Sequence, residues 1–258
     1  MVPLGSIADW STTHPWSTRR QVEQDLLLSR AICAIADDPY LGTELVFRGG
    51  TAFHKVHLDS PRRYSEDLDY VRSSAGGIRE LTRALTDLGE SLGFDVRTRI
   101  SAHPKVYWRT ASAEGEPIRI KVEVNTHERS PALPHVHMPH RVASAWWTGE
   151  AEVLTFQTAE LVATKIRALY QRSKGRDLFD LWLALTELEV PADGILAAFE
   201  PYKPEGLTAA KSVANLQAKL DDRLFRADLD PLLSRTPDGY DIDSAAALII
   251  DSLLTRID

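Results

Sequence analysis

Apolar residues recur at helical spacing over residues 19–36, at Val22, Leu26, Leu27, Ile32, Cys33 and Ile35, and Asp37-Asp38-Pro39 ends the run, so a helix is predicted there. Upstream, to about Pro15, the chain is polar and Trp-bearing, and a loose lead-in is expected. Leu45-Val46-Phe47 is a short apolar run that stops at Gly49-Gly50, and residues 51–57 suit a helical turn or two before Asp59-Ser60-Pro61 breaks the chain. Residues 68–71 read as a strand and 77–92 as an amphipathic helix closed by Gly93. Strand candidates follow at 94–100 and 106–111. The clearest strand is 118–125, where Ile118, Ile120, Val122 and Val124 share one face. Pro131, Pro134 and Pro139 mark a loop. From Thr158 onward the pattern is almost wholly helical, with Pro191, Pro201, Pro204 and Pro231 as punctuation. The order predicts an α+β protein: a mixed-sheet domain over residues 1–150, with its N-terminal helix, and a helical domain over 151–258.

The chemistry concentrates at the predicted sheet. Side chains at i and i+2 on a strand project from one face, so Asp67 and Asp69 of Ser65-Glu66-Asp67-Leu68-Asp69 stand side by side. Adjacent carboxylates repel unless a cation lies between them, and a hard divalent ion such as Mg²⁺ is the natural occupant. Glu123 is a third acid, on the strand whose other face is apolar. Acids so arranged suit a two-metal site, where the ions activate an attacking oxygen and stabilise the leaving one. Gly49-Gly50-Thr51 lies between a strand and a helix start; glycines admit a phosphate close to the backbone, and amides with the Thr hydroxyl can bind it. Each piece alone also fits a plain structural role, a Gly-rich turn or a solvated strand end. Their combination is what points to a site.

A second cluster lies downstream. Residues 161–180 carry Lys165, Arg167, Arg172, Lys174 and Arg176, and no acid separates these five cations. Lys165 and Arg172 are seven apart and share a helix face, which suits contact with phosphate or RNA. Asp177 follows the Gly175 break and reads equally as the N-cap of a following helix or as a functional acid, and Asp180 fits the helix start or the same pocket. His135-Val136-His137-Met138-Pro139-His140 reads as a solvated loop, Arg62-Arg63 likewise, and Trp146-Trp147 as packing between the sheet half and the helical half.

Composition narrows the class. The chain has 258 residues, 43% hydrophobic and 26% charged, which excludes global disorder. A single cysteine, Cys33, excludes an intramolecular disulfide and a cysteine-based zinc cluster and fits a reducing, cytoplasmic setting. No apolar run is long enough to span a bilayer, so no membrane partner is expected. The formal charge of −7 argues against a nonspecific nucleic-acid coat but leaves room for a local basic groove. Nine acids against four bases over residues 221–258 should keep the C-terminal segment away from RNA, and the apolar run at 245–254 should dock on the core.

The ordered set Gly49-Gly50-Thr51, Ser65-Glu66-Asp67-Leu68-Asp69 and Lys165 through Lys174-Gly175-Arg176-Asp177-Leu178-Phe179-Asp180 resembles nucleotidyltransferase toxins of the AbiEii/MenT type, over roughly residues 45–185. The resemblance implies a DNA-polymerase-β-like nucleotidyltransferase core followed by a helical domain. It implies Mg²⁺, with Mn²⁺ as an alternative, and a nucleoside triphosphate used to add nucleotides to an RNA 3′ end, the tRNA acceptor stem in several members, which blocks translation. A cognate antitoxin protein is implied as partner. By position, Asp67 and Asp69 match the metal-binding acids, Lys165 the lysine near the triphosphate and Asp177 the acid of the Arg-Asp signature. Gly49, Gly50, Thr51 and Ser65 match the nucleotide-facing residues, Glu123 fits the third acid of the wider superfamily, and Arg172, Lys174 and Arg176 are the cations left for RNA. Two other readings stay open: a small-molecule or protein hydroxyl as acceptor, and a non-catalytic nucleotide-binding regulator.

Overall fold

A computed structural model describes residues 1–100 and 103–258. The chain divides into two compact units, Met1–Pro131 with His135–Phe156, and Ala132–Pro134 with Gln157–Asp258.

The first unit runs α1 (Leu4–Ser11), α2 (Arg19–Asp37), α3 (Leu41–Glu44), β1 (Leu45–Arg48), α4 (Gly49–Ala52), β2 (Asp67–Arg72), α5 (Ile78–Ser91), β3 (Asp95–Arg99), β4 (Lys105–Ala111), β5 (Pro117–Asn125), β6 (Val136–Ala143) and β7 (Thr148–Thr155). Among the described residues, seven strands form one sheet in the order β3-β4-β5-β2-β1-β7-β6. It is mixed: β2 pairs parallel with β5 and β1 parallel with β7, and the other neighbours are antiparallel. The alternation that predicted the strands is obeyed. Leu68, Tyr70, Val106, Trp108, Ile118, Ile120, Val122 and Val124 are all buried on one face, and Trp108 donates from Nε1 to the Leu85 carbonyl of α5. The α+β class expected from the sequence holds.

Helix α2 starts at a capping box in which the Thr18 hydroxyl accepts from the Gln21 amide and the Gln21 side chain accepts from the Thr18 amide. A cap of this kind contributes about 1 kcal/mol. The expected loose lead-in is instead a helix. Ile7 and Trp10 of α1 are buried, and the Trp10 indole donates to Asp25 Oδ2 of α2 at 2.9 Å; eight residues are too few for the period to show in sequence. The same Asp25 oxygen accepts from Lys55 Nζ at 2.6 Å, and Lys55 also donates to Ser29 Oγ at 3.0 Å. Lys55 lies in a π-helical turn, Phe53–His57, that continues α4.

The proline-rich segment holds the main departure. Val136 to Ala143 is a strand, β6, paired in register with β7, and neither strand was legible. Pro139 is tolerated because β6 lies at the edge of the sheet, where a missing N–H breaks no inner ladder. His140 is buried rather than solvated, its Nδ1 3.1 Å from the Lys55 carbonyl. Trp146 sits in the β6–β7 turn against the Arg30 guanidinium of α2, 5.2 Å from the ring centre, and so serves the sheet unit's own packing.

The second unit comprises α6 (Thr158–Gln171), α7 (Gly175–Thr186), α8 (Ala192–Phe199), α9 (Ala209–Leu220), α10 (Arg223–Arg226) and α11 (Ile242–Ser252). Helix α6 packs against α7, α8 and α9, and α11 buries Ala245, Ala246 and Ile249 as it docks on α7. Glu160 of α6 is fully buried. Its carboxylate accepts from the amides of Ala132 and Leu133 at 2.7 and 2.9 Å and from the Tyr202 hydroxyl at 2.5 Å, which ties residues 132–134 to this unit.

Candidate active site

The strand β1 is followed at once by Gly49, whose φ of +80° lies in the left-handed region that side chains disfavour. The turn it allows brings the backbone against β2. A Cβ built on Gly49 would stand 2.8 Å from Asp69 Oδ2 and 3.2 Å from Asp69 Cβ. Gly50 abuts the guanidinium of Arg63 and the hydroxyl of Ser65, and Arg63 is buried, not the wet loop residue its surroundings in sequence suggested. Thr51 is buried too. Its hydroxyl donates to the Asp67 carbonyl and lies 2.8 Å from Ser65 Oγ. Thr51 therefore positions Ser65 and the start of β2, where the sequence suggested direct contact with a nucleotide.

Asp67 and Asp69 flank the buried Leu68 and lie on the face of β2 opposite it. On β5 the residues opposite them are Lys121 and Glu123, and Arg48 of β1 lies on the far side of Asp69. Lys121 Nζ bridges two acids, 2.9 Å from Asp67 Oδ2 and 3.0 Å from Glu123 Oε2, and Lys105 of β4 takes Glu123 Oε1 at 3.1 Å. Burial raises the Asp69 carboxyl above the usual carboxylate range, and the charge of Asp67 pushes it the same way. Burial also works on Glu123, but hydrogen bonds and charge from Lys121 and Lys105 outweigh it and hold that carboxyl below its ordinary value. Lys121 is affected in the reverse sense: burial lowers it, and Asp67 and Glu123 together raise it further than burial lowers it.

These residues fit a divalent cation. The donors are hard carboxylate oxygens, and Asp69 carries an excess of unfavourable negative charge that a cation beside Asp67 would relieve. The space at Asp69 Oδ2 exists only because residue 49 has no Cβ. Among the described residues no group of three or more His, Cys, Asp or Glu side chains gathers as metal ligands, so the pair is a pair. Glu123, expected as a third acid, is adjacent to Asp69 but has both oxygens on lysines.

The downstream cluster is not acid-free in space. Helix α6 stops at Gln171; Arg172 is its extended C-cap, so Lys165 and Arg172 do not share a helix face. Arg172 makes a two-pronged ion pair with Asp177, at 2.6 and 2.7 Å, and Asp177 is therefore not an N-cap of α7. Lys165 is buried, with Nζ 2.7 Å from Asp180 Oδ2 and 3.8 Å from Asp177 Oδ1. Lys174 and Arg176 both pair with Asp228, each at 3.2 Å. Sequence reasoning missed Lys121 and Lys105, although their spacing from Glu123 on predicted strands was a usable signal for one of them: Lys121 is at i−2 from Glu123.

Residues 30–248 match the family model of the nucleotidyl transferase AbiEii toxin, type IV TA system. The fold is similar to a protein from H. pylori assigned as a nucleotidyltransferase, at 18% identity and a TM-score of 0.55, covering 93% of this chain and 96% of that one. It is also similar to MenT4, a nucleotidyltransferase toxin from Mycobacterium tuberculosis H37Rv, at 17% identity and a TM-score of 0.50, covering 94% of this chain and 98% of that one. No curated protein matches the chain. With the family model covering most of its length, the chain belongs to the AbiEii nucleotidyltransferase toxins of type IV toxin–antitoxin systems.

Proposed function

We propose that the chain transfers nucleotides from a nucleoside triphosphate to the 3′ end of RNA, the tRNA acceptor stem first among candidates, and thereby blocks translation until a cognate antitoxin protein restrains it. The observation that carries this reading is the Asp67–Asp69 pair beside a residue-49 backbone with no Cβ, inside a family of nucleotidyltransferases. Asp67 and Asp69 would hold Mg²⁺ or Mn²⁺, which when bound neutralises triphosphate charge and makes the attacking hydroxyl more acidic. Gly49 lets the turn close against Asp69 and Gly50 lets it close against Arg63 and Ser65, and Ser65, fixed by Thr51, presents a hydroxyl at the same edge. The RNA 3′-oxygen forms a bond to the α-phosphorus, the bond from that phosphorus to the β-phosphate oxygen breaks, and pyrophosphate leaves. The hydroxyl proton passes to a carboxylate; among the described residues Asp69 has no ion pair, whereas Glu123 is held by two lysines, so Asp69 is the better acceptor. Glu123 then keeps Lys121 and Lys105 in place as cations for phosphate oxygens. The resemblance implies Lys165 as the lysine near the triphosphate and Asp177 as the acid of the Arg-Asp signature; Lys165 pairs with Asp180, and Asp177 with Arg172. Arg172, Lys174 and Arg176 could meet RNA only by exchanging their carboxylate partners for phosphate.

The test is to incubate the protein with total tRNA, each labelled nucleoside triphosphate and Mg²⁺ or Mn²⁺. Labelled tRNA is expected from the wild type and none from Asp67→Ala, whose circular-dichroism spectrum should be unchanged. Label on a small molecule or protein instead would redirect the acceptor, nucleotide binding without transfer would make the chain a regulator, and full activity in Asp67→Ala would refute the metal assignment.

A further inference from the structure

The face of the sheet that bears Asp67 and Asp69 continues across β5, β4 and β3, and the register fixes its side chains in three rows. One row is Asp95, Arg109, Arg119; the next is Arg97, Tyr107, Lys121, Asp67; the third is Arg99, Lys105, Glu123, Asp69. On β3, β4 and β5 these rows hold six cations and two acids, in a chain whose net charge is −7. Arg97, Arg99 and Arg119 are exposed and Arg109 half-buried. Among the described residues Arg99, Arg109 and Arg119 have no ion pair, and Arg97 has only the exposed Asp95 at 3.7 Å. The Arg119 guanidinium lies 5.5 Å from the centre of the Tyr107 ring, so an aromatic and a planar cation sit together in the middle of the field. Beside it a groove of about 390 Å³ has Arg20, Gln24, Arg109, Arg119 and Glu66, the chain neighbour of Asp67, in its lining.

We infer that this face is the platform on which the RNA acceptor strand lies, its phosphates on Arg97, Arg99, Arg109 and Arg119 and a base against the Tyr107–Arg119 pair. Charge complementarity commits the occupant to a polyanion, and an aromatic within a basic field is how single strands are held without sequence readout. Charge on an edge strand alone could serve only to prevent edge pairing. Here the cations continue inward from the edge strand β3 to β4 and β5, where no edge is exposed. At about 4.8 Å between strands, the field extends about 14 Å from β2 to β3, so a strand lying across it ends at the carboxylates. The choice of RNA as the polyanion rests on the transfer reading above; the location of the polyanion does not.

The test measures equilibrium binding of a fluorescent 12-nucleotide single-stranded RNA and of tRNA by anisotropy, without nucleotide, across a salt series. The variant Arg97→Gln/Arg99→Gln/Arg109→Gln/Arg119→Gln should bind both at least about tenfold more weakly, with the slope of log affinity against log salt reduced by roughly 0.7 for each phosphate no longer neutralised. Its binding of the nucleoside triphosphate, read separately by calorimetry, should equal the wild type's, which excludes misfolding. Tyr107→Leu should bind about tenfold more weakly with no change in slope, as removal of one base stack does. The control Arg79→Gln/Arg83→Gln, two exposed cations of α5 outside this face, should change neither affinity nor slope. Unchanged affinity and slope in the fourfold sheet variant would overturn the inference, as would loss of antitoxin binding in that variant with RNA binding intact, which would make the face a protein site. If the wild type binds RNA through this face but labels none, the platform stands and the transfer reading falls.

Discussion

Gly49 and Gly50 are neighbours in one turn, yet the structure assigns them different consequences on substitution by alanine. At Gly49 two costs add. A φ of +80° puts an L side chain in the left-handed region, at about 1–2 kcal/mol, and the new methyl would stand 2.8 Å from Asp69 Oδ2. Recovering ordinary contact at 3.4 Å requires the carboxylate to retreat by about 0.6 Å, and displacement of a reacting group by about 1 Å can cost a hundredfold in rate. At Gly50 the backbone is unstrained, and the methyl meets the guanidinium end of Arg63, which can shift. Gly49→Ala should therefore lose about 2 kcal/mol of stability, about 4–8 °C in Tm, and tenfold to a hundredfold in kcat for nucleotide transfer, by about the factor expected from a displaced carboxylate. Gly50→Ala should stay within about 1 kcal/mol and a few-fold in rate. Differential scanning fluorimetry and the tRNA-labelling rate under saturating triphosphate read the two. Equal behaviour of the two variants, or a Gly49→Ala protein with wild-type rate, would refute the close approach of Gly49 to Asp69.

Other consequences concern the scaffold. Burial pushes His14, His57 and His140 down to about 4, helped at His14 and His140 by the charge of Lys55, so all three are neutral in the fold. The unfolded chain takes up their protons below about pH 6.5, so their contribution is complete above that pH and is lost as pH falls toward 4; at pH 5 each removes about 2 kcal/mol. The urea midpoint should thus drop steeply between pH 7 and 5, and a flat profile would contradict their burial. Asp25→Ala strands the Lys55 ammonium in the core and should cost about 3–5 kcal/mol, whereas adding Lys55→Met should recover part of that loss; a double variant no more stable than Asp25→Ala would show that the pair is not coupled. Glu160→Gln replaces a carboxylate that accepts three hydrogen bonds, two on Oε1 and one on Oε2, by an amide whose NH2 must face at least the Leu133 N–H, and should lose about 1–3 kcal/mol and expose residues 132–134 to faster hydrogen exchange.

What the sequence revealed followed from period and local chemistry. Strand β5 was legible because Ile118, Ile120, Val122 and Val124 all face a core that excludes water, leaving strict alternation. The pair Asp67 and Asp69 was legible for the same reason, since a buried Leu68 between two acids can be satisfied only by a strand with one polar face. Strands β6 and β7 were not. β6 is at an edge, where one side of the ladder is free and prolines are allowed, and only His140 and Val142 are buried in it, one of them polar; β7 is an inner strand, but of its buried residues Ala151, Val153 and Thr155 only Val153 is a strong apolar signal. Helix α1 was lost to its length, and Asp177 was ambiguous because an acid after a glycine reads as a cap until its partner is known. That partner, Arg172, lies five residues back, where α6 has already ended and the chain has turned extended.

The two groups of cations show why density along the chain misleads. Lys165, Arg167, Arg172, Lys174 and Arg176 are crowded into twelve residues with no intervening acid, yet folding supplies Asp177 and Asp180 from the next helix and Asp228 from the segment after α10. A phosphate arriving at Arg172 must displace a carboxylate that already fills both prongs of the guanidinium, and that exchange returns little net free energy. The sheet cations, Arg97, Arg99, Lys105, Arg109, Arg119 and Lys121, are instead spread over three strands, with Val106, Trp108, Ile118 and Ile120 among the residues between them, so they are more dilute along the chain than the downstream cluster. Strand pairing is what gathers them, because register partners stand about 5 Å apart on one face. Antiparallel pairing of β3, β4 and β5 stacks Arg97, Arg99, Arg109 and Arg119 on one side while their interleaved Val106, Trp108, Ile118 and Ile120 go to the core. A polyanion gains most where positive charge is gathered but not yet neutralised, and in this chain that condition is met on the open sheet face rather than in the stretch whose sequence advertises it.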